Sequence, residues 1–263
     1  MNLDLGTPIA LGRTAEIYAW QPGWVVKLYF NWFSRENIEY EARIGRALHF
    51  AGLSTPAVGE MIEINNRTGL IYERIPGQTI WQALSARPEL GPSLARRMAE
   101  LHTAMHASQL NVDLPSQHTR LENKIQQASA LPTELRDRLL ASLAQLPSED
   151  RLCHGDFHPE NILTGPLGER VIDWIDATRG SPLADLARTS IILLGAAETQ
   201  PGGPQLRGFL HTFHAAYLRA YFRLNPGGQQ SYQRWLPVIA GARLSENIFE
   251  LEKWLLAQAR LIN

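Results

Sequence analysis

The feature that most constrains this chain is the segment His154-Gly155-Asp156-Phe157-His158-Pro159-Glu160-Asn161, which is followed twelve residues later by a second aspartate, Asp173. Transfer of a phosphoryl group requires metal ions held by hard oxygen ligands and a carboxylate beside the attacking hydroxyl. Asp156, Asn161 and Asp173 supply these groups in the order that such a centre needs. The spacing therefore indicates phosphoryl-transfer chemistry.

The composition favours a protein that acts on small molecules. The chain has 263 residues, with 25 Lys and Arg against 26 Asp and Glu, so it has no excess of cations for nucleic acid or an anionic membrane. Residues 1–6 lack the pattern of a signal peptide, and the longest apolar stretch, Ile191 to Ala197, is too short to span a bilayer. We expect a cytoplasmic monomer or homodimer that binds neither nucleic acid nor membrane.

Residues 1–75 are predicted to form a small lobe of antiparallel strands with one main helix. Short runs of β-branched or aromatic residues between turn signals predict five strands, over 9–11, 16–20, 24–30, 60–64 and 70–75. Ser34 is placed to cap a helix over 35–50, where apolar or small residues recur at helical spacing. Pro76-Gly77 ends this pattern, and we place the lobe boundary there.

Residues 76–263 are predicted to form a larger, mostly helical lobe. Amphipathic segments over 93–107, 121–130 and 133–146 have helical periodicity. A small hairpin over 162–172, with its turn at 165–168, returns the chain so that Asp173 comes near Asn161. The predicted fold class is α+β.

Several features in combination distinguish the motif from an ordinary turn. Alone, a His-Gly-Asp tripeptide is weak evidence, because a loop aspartate is often an Asx-turn or N-cap residue. Here an asparagine follows Asp156 by five residues, a hairpin and Asp173 come next, and a lysine on a strand and a glutamate on a helix lie upstream. This is the order of the catalytic loop and metal-binding aspartate of protein kinases.

The chain closely resembles the aminoglycoside phosphotransferase and choline kinase superfamily from about Gly6 to Asp185. The resemblance is carried by the motif at 154–161, by Ile172-Asp173-Trp174, and by the Gly-x-Pro-x-x-Asp-Leu-Ala pattern at 180–187. It implies a bilobal protein-kinase-like fold. It also implies transfer of the γ-phosphoryl group of ATP to a hydroxyl of a small molecule.

The same resemblance implies roles for the central residues. Asp156 would be the catalytic base, or the residue that orients the acceptor hydroxyl, and Asn161 and Asp173 would hold Mg²⁺. Lys27 would contact the α and β phosphates. Its expected partner is Glu41, which shares a helix face with apolar residues, and Glu39 is the alternative if the helix is rotated.

The nucleotide-binding residues are expected at two places. Gly12 and Thr14 lie between the first two predicted strands, where a glycine-rich loop is absent; this turn either cradles phosphates with its amides or is an ordinary hairpin turn. By resemblance, adenine would bond to backbone near Tyr72, Glu73 and Ile75. Backbone contacts there would not distinguish ATP from GTP.

Four further residues are expected around the catalytic loop. His154 would orient the loop by hydrogen bonding, and His158 would either support it or contact phosphate. By resemblance, Asp185 would brace the loop through its backbone. Asp176 either faces the acceptor or caps the following turn.

The sequence does not identify the molecule that accepts the phosphoryl group. The superfamily acts on aminoglycosides, choline, homoserine and other small alcohols and, in some members, on proteins. By resemblance, the acceptor here would be an aminoglycoside, an amino alcohol or a sugar. A polycationic acceptor favours acidic contacts such as Glu246 and Glu250, yet these are balanced by neighbouring cations. A quaternary ammonium favours an aromatic cage, but the tyrosines and tryptophans of this lobe are also typical core residues: Trp174, Tyr217, Tyr221, Tyr232, Trp235 and Trp254.

A second functional hypothesis is a catalytically weak nucleotide-binding module. The sparse loop at Gly12 favours it, whereas the presence of every expected polar group favours an active enzyme.

Overall fold

The computed structural model describes residues 4–109, 112–166, 168–199 and 202–262, so Leu167, in the turn of the predicted hairpin, lies outside the described residues. The chain divides into two compact units. The N-terminal unit comprises Met1–Ile80 and Glu160–Ile175, and the C-terminal unit comprises Trp81–Pro159 and Asp176–Asn263. The functional division predicted at residues 75 and 76 stays a prediction. No helix in the described ranges combines the length and apolarity needed to cross a membrane.

The N-terminal unit contains a five-stranded antiparallel sheet and one long helix. Its elements are β1 (Ala10–Leu11), β2 (Ala15–Ala19), β3 (Trp24–Tyr29), α1 (Arg35–Phe50), β4 (Val58–Ile64) and β5 (Arg67–Glu73), with strand order β1-β2-β3-β5-β4. The Ser34 hydroxyl caps α1 by accepting from the Asn37 amide at 3.3 Å. Ile38 and Ala42 of α1 pack with Leu70 of β5, so burial of one helix face holds α1 against the sheet.

The strand predicted over 70–75 is displaced toward the N-terminus. β5 begins at Arg67 because the turn is only Asn65-Asn66, with φ values of 52° and 61°. Asparagine tolerates this left-handed region, and two such residues form the tight turn preferred between antiparallel strands. The sequence prediction was wrong here because it counted the polar residues after Asn66 as loop.

The segment that leads to the motif is helical and ends in a short strand. Its elements are β6 (Gln78–Thr79), α2 (Ile80–Ala86), α3 (Gly91–Ala107), α4 (Gln117–Gln127), α5 (Thr133–Gln145) and β7 (Arg151–Cys153). The helix predicted over 121–130 begins earlier, at Gln117, because the Ser116 hydroxyl caps it by accepting from the Thr119 amide at 3.3 Å. The first turn is polar and so shows no apolar periodicity.

Short strands on both sides of the motif position its residues. β8 (Ile162–Gly165) and β9 (Gly168–Val171) form the predicted hairpin, and β6 pairs with β8. β10 (Thr178–Gly180) pairs antiparallel with β7. The motif residues 154–159 of the C-terminal unit therefore lie directly after a fixed strand.

Four helices complete the C-terminal unit. They are α6 (Pro182–Thr199), α7 (Gly203–Leu224), α8 (Gln229–Arg243) and α9 (Phe249–Ala259). α3 packs against α7, and α6 packs against α7, α8 and α9. Most residues of α6 are buried, so this helix lies at the centre of the unit.

Candidate active site

The β8–β9 hairpin brings Asn161 and Asp173 to the same end of a ladder. Ile162 pairs with Val171, and the Ile172 amide donates to the Asn161 carbonyl at 3.0 Å, so the pairing continues to the motif asparagine. Asp173 follows with a φ of 65°, in the left-handed region. A non-glycine residue held there carries backbone strain, and such residues cluster at functional sites.

Lys27 lies between two carboxylates within the N-terminal unit. Its Nζ is 2.7 Å from Glu41 Oε1 and 3.1 Å from Asp173 Oδ1. Burial alone would lower the pKa of Lys27, but the charges of Asp173 and Glu41 outweigh it and raise that pKa above its ordinary value. Glu39, the alternative partner, instead pairs with Arg35 at the surface of α1, at 3.0 Å.

Glu41 is fixed by a second contact that sequence reasoning did not foresee. The Tyr72 hydroxyl donates to Glu41 Oε1 at 2.7 Å, and Glu41 is only 2% exposed. Burial and the Glu41 charge raise the pKa of Tyr72 well above its ordinary value, so the tyrosine remains a donor. Strand β5 and helix α1 therefore hold the same carboxylate that pairs with Lys27 on β3.

Some of the backbone groups expected to bind the nucleotide already form hydrogen bonds within the N-terminal unit. The Gly12 amide donates to the Ala15 carbonyl at 2.9 Å, as in an ordinary hairpin turn, and the Thr14 carbonyl accepts from the Phe30 amide at 2.9 Å. The Glu73 amide donates to the Ala57 carbonyl at 2.9 Å. Ile75 is half-buried, two residues beyond the end of β5.

The carboxylate of Asp185, on α6, holds the start of the motif loop by accepting from two of its backbone amides. Its Oδ2 accepts from the His154 amide at 2.7 Å, and its Oδ1 accepts from the Gly155 amide at 2.8 Å. Oδ2 also lies 3.0 Å from His102 Nε2 and 3.2 Å from His106 Nε2. Burial alone would raise the pKa of Asp185, but the hydrogen bonds from His102 and His106 hold it well below its ordinary value.

Both histidines are fixed from the other side by tyrosines of α7. His102 Nδ1 lies 2.5 Å from the Tyr217 hydroxyl, and His106 Nδ1 lies 2.8 Å from the Tyr221 hydroxyl. His102, His106 and Asp185 place one ligand atom each within 4.8 Å of one another, a spacing that suits a metal ion. Because each ring nitrogen already has a hydrogen-bond partner, we assign the cluster to support of the loop.

Glycine is required in the motif itself. Gly155 has a φ of 79°, and a Cβ there would overlap the carbonyl oxygen of Asp176. The loop therefore passes too close to the Trp174–Asp176 turn for any side chain at this position.

Asp156 is held by a cation and a histidine of its own unit. Arg188 on α6 donates to the Gly155 carbonyl at 3.0 Å and to Asp156 Oδ1 at 3.3 Å, and His158 Nε2 lies 3.3 Å from Asp156 Oδ2. The buried His154 ring accepts from the Asp156 amide at Nδ1, at 3.2 Å. Burial alone would raise the pKa of Asp156, but His158 and Arg188 hold it well below its ordinary range. Asp156 is therefore a carboxylate at neutral pH.

A pocket adjoins this loop in the C-terminal unit. Gly155 and Asp185 line it, together with four cationic side chains, Arg120, Lys124, Arg188 and Arg243. The predicted acceptor residues Asp176 and Glu246 also line it, whereas Glu250 is exposed in the first turn of α9 and is not among the lining residues.

The aromatic residues proposed for a cage lie elsewhere. The described residues that line the pocket include no aromatic side chain. Tyr217, Tyr221 and Trp235 are at most 2% exposed, which makes them core residues. The pocket therefore lacks the ring faces that would bind a quaternary ammonium group.

Sequence reasoning missed the residues that hold the loop in place. Arg188 has a signal in the sequence, because it is the only cation in the run from Pro182 to Thr199, which forms a buried helix. His102 and His106 lie four residues apart, on the apolar face of α3. Such polar residues on a buried face require partners, and the partners were not readable from the sequence.

The residues of the N-terminal unit fit a magnesium site. Asn161 and Asp173 offer an amide and a carboxylate oxygen at one end of the hairpin, and Mg²⁺ prefers such hard oxygens. Lys27 and Glu41 fix the carboxylate that would bind the ion.

Comparison with known proteins identifies the family of the chain. Residues 6–228 match the model of the phosphotransferase enzyme family. A curated relative, acyl-CoA dehydrogenase family member 11 of Gallus gallus, is 31% identical over 100 residues, which are 37% of this chain and 11% of that protein. The chain thus corresponds to a small part of this relative's length.

Solved structures resemble nearly the whole chain. An apo thermostable mutant of aminoglycoside phosphotransferase APH(4)-Ia has a TM-score of 0.70 at 18% identity, covering 97% of this chain and 92% of that chain. Amicoumacin kinase hAmiN, in complex with AMP-PNP, Ca²⁺ and Ami, has a TM-score of 0.64 at 17% identity, covering 97% and 86%. At these identities the likeness shows the fold, and the predicted α+β kinase-like class is confirmed. Since the family model spans most of its length, the chain belongs to the phosphotransferase enzyme family.

Proposed function

We propose that this protein is an ATP-dependent, Mg²⁺-requiring enzyme that transfers the γ-phosphoryl group to a hydroxyl of a small molecule. The observation that carries the proposal is Lys27, which lies 2.7 Å from Glu41 and 3.1 Å from Asp173. Kinase-like enzymes need a strand lysine paired with a helix glutamate to position the phosphates, together with a metal-binding aspartate. A module that only binds nucleotide has no need to keep all three.

In the proposed reaction, Lys27 binds the α and β phosphates, and its raised pKa keeps it cationic throughout. Asn161 and Asp173 hold Mg²⁺, which neutralises charge on the phosphates when bound. The acceptor oxygen forms a bond to the γ-phosphorus as the bond from that phosphorus to the β,γ-bridging oxygen breaks. ADP then leaves and carries the negative charge that forms on the former bridging oxygen.

Asp156 acts in this scheme mainly by orienting the acceptor hydroxyl. A carboxylate with a pKa below its ordinary range is a weak base, so it accepts the hydroxyl proton only late, when the bond to phosphorus is largely formed. Arg188 and His158 hold the carboxylate in one orientation. Removal of such a group costs about 10²- to 10⁴-fold in rate.

The test is acceptor-dependent formation of ADP from ATP, and from GTP in parallel, across a panel of alcohols, sugars, amino alcohols and aminoglycosides. We expect turnover with Mg²⁺ that is lost in chelator, and lost in both Asp156→Asn and Asp173→Asn. Asp137→Asn, an exposed carboxylate on α5, serves as the matched control and keeps full activity.

The contrary outcome is equally specific. ADP formation that is unchanged in Asp156→Asn and Asp173→Asn would show that these groups are not catalytic. Thermal stabilisation by nucleotide, without turnover of any acceptor by the unaltered protein, would instead identify a nucleotide-binding module.

A further inference from the structure

The acidic side chains of the pocket are already occupied by cations of the same unit. Glu246 Oε1 lies 2.8 Å from Arg188 and 3.3 Å from Lys124, and its Oε2 lies 3.6 Å from Arg243. Burial alone would raise the pKa of Glu246, but these three cations lower it, so Glu246 stays ionised. A cationic acceptor would have to displace one of them to reach this carboxylate.

Asp176 is occupied in the same way. Its Oδ1 lies 3.2 Å from Arg120 and 3.7 Å from Lys124. The third lining carboxylate, Asp185, is turned to the backbone amides of His154 and Gly155. Asp176 Oδ1 and both carboxylate oxygens of Glu246 and of Asp185 therefore already have a partner.

The cations are better placed to bind a further partner. Arg120 and Lys124 lie four residues apart on α4, and residues at this spacing share one helix face. Their side chains are 28% and 27% exposed, whereas Arg188 and Arg243 are near 10%. An arginine has five N–H donors and a lysine three, which allows each cation to contact an anionic group of a ligand as well as a carboxylate of the pocket.

We propose that the acceptor is an anionic alcohol, a small molecule with a carboxylate or phosphate group besides its reactive hydroxyl, and that Arg120 and Lys124 bind the anionic group. This inference rests on the proposed function, because it names the acceptor class of the same site. Arg188, which contacts Asp156, lies in the same pocket and links the binding of the anion to the group that orients the hydroxyl. Charge complementarity of this kind sets specificity.

The test compares acceptors of equal size that differ only in charge. The panel pairs short hydroxycarboxylates and hydroxyalkyl phosphates with their neutral hydroxyamides and with amino alcohols, and kcat and KM are measured by ADP formation. We expect kcat/KM for the best anionic alcohol to exceed that of its neutral counterpart by about 10- to 100-fold, the range for one or two charge-assisted hydrogen bonds. The better of the two anionic series identifies the anion.

Variants separate binding of the anion from chemistry. Arg120→Gln and Lys124→Gln should each raise KM for the anionic acceptor about tenfold or more while KM for ATP stays constant. Lys124→Glu should shift preference toward amino alcohols. Lys253→Gln, at an exposed position on α9, is the matched control and should change none of these constants.

The outcomes also distinguish this inference from the proposed function. Failure of every acceptor, whatever its charge, would count against the proposed function itself. Turnover that favours amino alcohols, aminoglycosides or neutral alcohols, with KM unchanged in Arg120→Gln and Lys124→Gln, would overturn the anionic acceptor and leave the phosphotransferase intact. Thermal midpoints of all variants verify that they fold.

Discussion

The ion pairs of the two units differ in which charge is in excess. In the N-terminal unit a single cation, Lys27, lies between the carboxylates of Glu41 and Asp173, which leaves a net negative charge. In the C-terminal unit four cations form ion pairs with three carboxylates, those of Asp156, Asp176 and Glu246, so cations are in excess among these pairs, and the ionised Asp185 lies beside them. The first cluster is complementary to a metal ion and the second to an anion. The same chain thus offers clusters that suit two kinds of charged ligand.

The largest effect is expected from removing the cation of the N-terminal cluster. Lys27→Met leaves the carboxylates of Glu41 and Asp173 without the cation between them and removes the proposed phosphate ligand. We expect kcat/KM for ATP to fall by about 10²- to 10³-fold and the protein to lose about 3–5 kcal/mol of stability. Kinetics and denaturant unfolding measure the two effects. Lys253→Met is the surface control, and activity within twofold of the parent would refute the assigned role.

The next effect concerns the support beneath the catalytic loop. Asp185→Asn replaces an acceptor of two backbone amides and two imidazoles with an amide that offers one oxygen. We expect a loss of about 3 kcal/mol in the free energy of unfolding, since buried donors are left unsatisfied, and a lower kcat at unchanged KM for ATP. Asp137→Asn is the matched control; equal stability of the two variants would argue against the support.

A smaller effect is expected from changing the shape of the cation at position 188 in the C-terminal cluster. Arg188→Lys keeps the charge but loses the planar fork that reaches the Gly155 carbonyl, Asp156 and Glu246 together. We expect kcat to fall about tenfold, and Arg188→Met to cost more than Arg188→Lys. Arg96→Lys, on the exposed side of α3, should change nothing. Equal kcat values for the two Arg188 variants would show that only packing matters.

The smallest effect is a pH dependence confined to the C-terminal unit. Burial and the neighbouring His106 lower the pKa of His102 from 6.5 to about 3, so the folded protein keeps this ring neutral. Between these values the unfolded chain binds a proton that the folded chain does not, so stability is complete above pH 6.5 and falls as the pH drops toward 3. The limiting slope is about 1.4 kcal/mol per pH unit.

Thermal midpoints at pH 7, 6 and 5 measure this slope. We expect His102→Gln to flatten it, while His49→Gln, at an exposed position on α1, retains it. A midpoint that rises on acidification would contradict the assignment.

The sequence is informative where structure is local. Lys27 on its strand, Glu41 on the buried face of α1, and the hairpin that joins Asn161 to Asp173 all follow from short-range periodicity and turn chemistry. The cationic pocket does not, because Lys124, Arg188 and Glu246 come from three elements distant in the chain. Periodicity shows that a helix buries one face, but it does not show which side chains of another helix contact that face.

The position of α6 has a consequence for how this enzyme can change. Asp185 and Arg188 lie one turn apart, so the same helix secures the catalytic loop and contributes to the acceptor pocket. Substitutions in α6 that admit a new acceptor would therefore also disturb the loop and slow turnover. Changes of acceptor are therefore expected to accumulate on α4, because Arg120 and Lys124 lie on a different helix from Asp185 and Arg188.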